Sequence, residues 1–184
     1  MERVTPRVSF ADLQRMPDNG DRYELYDGAL RVVPSPLPWH QIVGGRLYEA
    51  LVEHRRRHGG LVLFSPLDIV LSEHDIVQPD LVYFGPRSAR AVRPHEAIRF
   101  TPDLAIEVLS SSTASVDRGR KRDLFARFGL PEYWAVDPPS KRIELSVLNA
   151  GHYGVPLIVG QGRLRSPTVE GLVMDVEPLF ADFD

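Results

Sequence analysis

The sequence predicts an α/β (α+β) fold with a central mixed sheet flanked by helices. Three observations carry that reading. Apolar runs with strand-like patterning alternate with stretches whose apolar residues recur at helical spacing. Asp27-Gly28 lies between two short β-prone runs, the signature of a tight hairpin. Two further runs are largely apolar on both faces, the pattern of strands covered on both sides. At 184 residues the chain can close a real core without staples, so residues 1–184 are read as a single domain with its core at about 40–137.

Each element has its own local reason. Ser9 is placed to cap a short helix over residues 9–16. RYELYDGALRVV, residues 22–33, supplies the hairpin, and the prolines of SPLPW, 35–39, force an extended stretch before His40. From 40 to 58, Val43, Leu47, Ala50 and Leu51 share a helical face, and Gly59-Gly60 ends the helix. Strands follow near 61–70, 76–84 and 103–109. A helix over about 115–128 stops at Gly129 before Pro131, and YWAVD, 133–137, is another apolar strand. The tail alternates in runs such as RIELSVL, 142–148, with turns at Ala150-Gly151 and Gly160-Gln161-Gly162, and reads as further β hairpins.

Composition narrows the chemistry. The absence of cysteine excludes a disulfide framework, a thiolate zinc site and a cysteine nucleophile, and fits a cytoplasmic home. MERVTPRVSF lacks a signal-peptide core, and no run approaches the roughly 20 apolar residues needed to cross a bilayer. The net charge is −3, so any nucleic-acid surface must come from local clusters such as His54 to His58 and Arg118 to Arg122. Of the 22 cations only Lys121 and Lys141 are lysine, which draws attention to what each ammonium does.

Two acids interrupt apolar strands. In TPDLAIEVL, Asp103, Ala105, Glu107 and Leu109 share one face, while Leu104, Ile106 and Val108 share the other. IVQPDLVYF places Asp80 on the face of Val82 and Phe84. A lone buried carboxylate is costly, so a cation is expected nearby. The helix after Glu107 offers one. At 100° per residue, Asp117, Lys121, Leu124, Phe125 and Phe128 fall on one stripe, with Arg122, Asp123 and Ala126 opposite. The apolar members must face the sheet, so Lys121 faces it too, while Arg118 and Arg120 flank the rim.

These residues carry a resemblance. VQPD ending at Asp80, PDLAIEVL holding Glu107, Asp117 and Lys121 four apart, and PEYWAVD at 131–137 together resemble the Uma-type putative restriction endonuclease family of the PD-(D/E)xK nuclease superfamily. The likeness extends upstream to Glu24 in YELYDGAL and His40 in SPLPWHQ. It implies a restriction-endonuclease-like core, α-β-β-β-α-β, with extra N- and C-terminal hairpins. The superfamily's lysine ordinarily stands two residues after the second acid. Position 109 here is leucine, so that role passes to Lys121.

The resemblance implies an Mg²⁺-dependent endodeoxyribonuclease, with Mn²⁺ as a substitute ion and DNA as substrate. Asp80, Glu107 and the Val108 carbonyl would hold the metal, Lys121 would offset transition-state charge, and Glu24 would join the catalytic set. Cutting both strands of a duplex points to a homodimer. Two other classes fit the sequence: a catalytically silent nuclease-fold module that binds nucleic acid or protein, and a metal phosphohydrolase acting on small phosphoesters. Each residue also has an ordinary structural reading. Asp80 is suited to a strand edge after Pro79, Glu107 to an arginine pair, and Glu24 to a cross-strand pair with Arg31. Lys121 can snorkel, Asp117 can sit favourably in a first helical turn, and His40 can cap or pack. Trp39 and Trp134 read as core or interface aromatics.

Overall fold

The structure is a computed structural model that describes residues 7–181. Residues 1–6, which carry part of the N-terminal segment tested above for a signal peptide, lie outside the described residues. Helix α1 (Phe10–Arg15) is closed by a capping box in which Ser9 and Asp12 satisfy each other's backbone donors. Strands β1 (Arg22–Tyr26) and β2 (Ala29–Val33) form the expected hairpin. Its turn places both Asp27 and Gly28 at positive φ, 52° and 76°, which suits the twist of a two-residue hairpin. A side chain at Gly28 would also strike Arg7.

Helix α2 (Pro38–His58) starts two residues earlier than the sequence suggested. Pro38 needs no hydrogen-bond partner in the first turn, so the proline-rich stretch opens the helix. Strand β3 (Leu61–Phe64) follows, then β4 (Ile69–Ser72), β5 (Asp75–Val77) and β6 (Leu81–Phe84). The continuous strands expected at 61–70 and 76–84 are therefore each divided. Pro66 and Pro79 cannot donate to a ladder, and at each break the chain passes between two different sheets.

Strand β7 (Leu104–Val108) leads into a helical segment made of α3 (Ala114–Val116), a π turn (Asp117–Lys121) and α4 (Arg122–Arg127). Strand β8 (Glu132–Asp137) then pairs parallel to β7. The tail adds β9 (Arg142–Asn149), β10 (His152–Tyr153), β11 (Leu157–Val159), β12 (Arg163–Arg165) and β13 (Val173–Asp175). The large mixed sheet runs β10-β9-β8-β7-β6-β3, with β11 also on β9; a smaller sheet runs β2-β1-β5-β4.

The alternation read in β7 sorts the core. Leu104, Ile106 and Val108 pack under α2 with Leu47, Leu51, Trp134 and Phe180. Ala105 and Leu109 face the opposite cluster, which contains Tyr26, Phe84, Phe125 and Tyr133. The large sheet is thus covered by α2 and the C-terminal segment on one side, and by the π-turn helix and small sheet on the other. Glu132, fully buried on β8, accepts hydrogen bonds from Trp134 Nε1, Ser166 Oγ, Thr168 N and Thr168 Oγ1, pinning the tail to the sheet. Among the described residues no helix is long and apolar enough to cross a membrane.

Candidate active site

Glu107 points from the middle of β7 into the space between the large sheet and the π-turn helix, and it is buried. Lys121 closes that space. Its Nζ stands 2.8 Å from Glu107 Oε1, 2.8 Å from Glu24 Oε1 and 3.7 Å from Asp117 Oδ1. The inward stripe expected for Lys121 is the observed one, with Asp117, Leu124 and Phe125 buried beside it. Ala126, expected on the opposite face, is buried as well and packs in the same cluster as Leu124 and Phe125. The Tyr133 hydroxyl donates to the Asp117 carbonyl at the head of that turn.

Glu24 sits opposite Arg31 in the hairpin register, yet its carboxylate turns inward instead of pairing across the strands. Oε1 accepts from the Gln78 backbone N–H at 2.9 Å and Oε2 from the Tyr26 hydroxyl at 2.8 Å. Arg31 reaches the Ser112 carbonyl. Neither Tyr26 nor Gln78 was singled out from the sequence. Tyr26 carried a usable signal, since two residues along a strand return to the same face.

Asp80 differs from the expectation in one respect. It lies at the break immediately before β6 rather than inside a strand, because Pro79 interrupts pairing there. Its Oδ2 accepts from the Val108 backbone N–H at 2.8 Å and stands 3.0 Å from His40 Nε2. His40, given no chemical task from the sequence, therefore orients an acid of the cleft from the first turn of α2. Glu24, Asp80, Glu107, Val108, Asp117 and Lys121 all border one cavity of about 100 Å³, with Arg22 and Arg31 also in its wall.

Burial and the neighbouring charges together set the electrostatics of the cluster. Burial pushes the Glu107 carboxyl well above the ordinary carboxylate range; Lys121 pulls it down, and Asp80, Asp117 and Glu24 push it up again. Asp117 is likewise raised by burial. Burial alone would lower Lys121, but Glu107 and Glu24 outweigh it and hold the ammonium well above a free lysine. Burial thus makes the acids hold a proton more readily, while the neighbouring carboxylates keep the lysine charged.

The donor set fits a hard, oxygen-ligated cation. Glu107 Oε1 is buried with no hydrogen-bond partner besides its ion pair with Lys121, Asp80 is held through Oδ2, and both side chains border the cleft. Among the described residues no three His, Cys, Asp or Glu side chains form a metal cage by themselves. Mg²⁺ needs no such cage, since it binds through one or two carboxylates plus water and substrate oxygens.

The basic clusters are mostly occupied elsewhere. Arg118 bridges Asp137 and Glu144, Arg120 donates to the Tyr26 carbonyl, and Arg122 donates to Ser146. Arg56 and Arg57 pair with Glu53, and His54 is buried.

The sequence matches the family described as Uma2, putative restriction endonuclease, over residues 10–177. In fold the chain is similar to the crystal structure of a putative nuclease belonging to DUF820 from Anabaena variabilis. The TM-score is 0.78 at 15% identity, covering 94% of this chain and 97% of that one. No curated protein matches the sequence.

Proposed function

The chain belongs to the Uma2 putative restriction endonuclease family, and from that premise we propose that it is a divalent-metal-dependent endonuclease that hydrolyses DNA phosphodiester bonds in the Asp80–Glu107–Lys121 cleft. The observation that carries the reading is the gathering of acids around Lys121. Three buried carboxyl groups converge on one ammonium at the edge of the cleft that Asp80 also borders, and burial makes ionising Glu107 and Asp117 costly. A purely structural ion pair has no need of the extra acids, whereas a cation site does.

Asp80, Glu107 and the Val108 carbonyl would hold Mg²⁺ or Mn²⁺, which would neutralise phosphate charge and make a bound water more acidic. The Val108 N–H and His40 both hold Asp80 Oδ2, leaving Oδ1 for that duty. Lys121 stays protonated under the influence of Glu107 and Glu24, so it serves as a fixed positive charge against negative charge growing on phosphorus, and not as a proton acceptor. Glu24 is a positioning residue: fixed by Gln78 and Tyr26, it anchors the ammonium. In the reaction, the oxygen of water bonds to phosphorus and one ester P–O bond breaks. The protons of that water end on the freed alcohol and in solvent. Severing both strands of a duplex calls for two such clefts, so the working unit is a homodimer.

The test is supercoiled plasmid incubated with the protein in Mg²⁺, in Mn²⁺ and in EDTA. The expected result is nicked and linear product with either ion, none in EDTA, and none from a folded Glu107→Ala variant. Intact plasmid at high protein concentration with both ions would overturn the proposal.

A further inference from the structure

A second cavity, of about 240 Å³, adjoins the first. Arg22, His40 and Asp80 border both, so the two spaces are neighbours across these side chains. The floor of the second is the α2 backbone at Gly44 and Gly45, and its wall is the ring pair Tyr48 and Phe64. Phe64 closes edge strand β3 with 59% of its surface exposed, and Tyr48 meets it edge-to-face at 5.3 Å.

The two glycines are unexplained by the fold. They sit inside a 21-residue helix, where glycine is the least favourable residue after proline. Neither has a positive φ. A Cβ at either would meet nothing within 4 Å, so no neighbour in the chain demands their small size. Glycine here leaves the helix backbone bare, which allows close approach by a molecule outside the chain. An aromatic wall beside that bare backbone, opening onto Asp80, has the features of a stacking platform. Arg22, held by the Ser65 hydroxyl at 3.0 Å and the Pro34 carbonyl at 2.9 Å, places a cation between the two cavities, where a phosphate joining two nucleotides would lie.

Building on the proposed nuclease function, we infer that the Gly44–Gly45 groove binds an unpaired nucleotide next to the scissile phosphate, its base stacked on Phe64 beside Tyr48, so that each cleft cuts DNA where a strand is locally unpaired, within a duplex included. A base kept in a duplex cannot reach an aromatic face, because it is already stacked and paired; an unpaired base reaches it without that expense. The backbone of the same nucleotide passes over the glycines.

Binding of fluorescein-labelled oligothymidylate, and of a blunt duplex of equal length, is measured by anisotropy in EDTA, where no turnover occurs. The wild type is expected to prefer the single strand. Phe64→Ala should weaken that binding by about tenfold, the scale of one base–aromatic stack, and leave the duplex nearly unaffected. Gly44→Ala/Gly45→Ala should raise the thermal midpoint and still weaken oligothymidylate binding, a combination that a merely structural glycine pair does not give. Equal wild-type affinity for both probes, or unchanged oligothymidylate binding in both variants, overturns the inference. So does Phe64→Ala splitting a dimer in light scattering while oligonucleotide binding stays intact, which would assign the groove to a second copy of the chain. A protein that binds oligothymidylate as described but cuts nothing sinks the proposed function and leaves this inference standing.

Discussion

Replacing Lys121 with methionine keeps the length of the side chain and removes its charge, which isolates the electrostatic work of the ammonium. Nζ lies 2.8 Å from two carboxylate oxygens and 3.7 Å from a third. At an effective dielectric constant of about 20, each of the shorter contacts is worth roughly 6 kcal/mol before desolvation. Desolvation of the buried ammonium offsets much of that, and losing one partner of a buried pair costs about 3–5 kcal/mol net. Against a total stability of about 5–15 kcal/mol, Lys121→Met should be folded but weak at neutral pH. The deficit should also depend on pH. Burial holds Glu107 and Asp117 above their ordinary values of 4.5 and 3.8, so the folded state binds protons more tightly than the unfolded one. Their contribution is complete below those ordinary values and is lost as pH rises through the folded ones. Without Lys121 to pull them down, both rise further and the loss steepens. Urea unfolding followed by circular dichroism at about pH 5 and about pH 8 reads this directly. The expected result is a large deficit at the higher pH that shrinks at the lower. Adding Glu107→Gln to the variant should recover part of it. A deficit below about 1 kcal/mol at both pH values would refute the buried-cluster reasoning.

Four further outcomes follow from the same geometry. Asp80→Asn should weaken Mn²⁺ binding by at least about tenfold in titration calorimetry, since it removes the charge of a proposed ligand; wild-type affinity would contradict the proposed metal site. Light scattering at working concentration should give the mass of a dimer, and a monomer that still linearises plasmid would contradict the two-cleft argument. Ser9→Ala should cost about 1 kcal/mol of stability by opening the capping box, seen as a drop of about 2–4 °C in the thermal midpoint, with cleavage unaffected. Trp134→Ala should cost about 3–5 kcal/mol, because it hollows the core and removes a donor from buried Glu132; a small loss would mean the tail is held by other contacts.

What the sequence made legible was local. Period-two alternation around Glu107 identified a strand covered on both faces, and the 3.6-residue stripe turned Lys121 inward before any contact was known. The breaks at Pro66 and Pro79 were legible in principle, since proline cannot donate to a ladder, yet the apolar runs around them looked continuous. The π turn was not legible. Nothing in DRGRK announces an extra residue in the turn, and only its contacts with the sheet, Tyr133 on the Asp117 carbonyl among them, make it stable. The inward turn of Glu24 and the hold of His40 on Asp80 are likewise tertiary facts. The hairpin register alone favours Glu24 with Arg31, and that pairing loses to a buried ammonium contributed by a helix almost a hundred positions away.

Lys121 grips one acid from each sheet, Glu24 from the smaller and Glu107 from the larger. The contact that completes the cluster around the ammonium is therefore also a tie between the two sheets. With the two sheets apart, Glu24 would lose the ammonium and the ammonium one of its two short carboxylate contacts, while the Val108 clasp on Asp80, internal to the larger sheet, would remain.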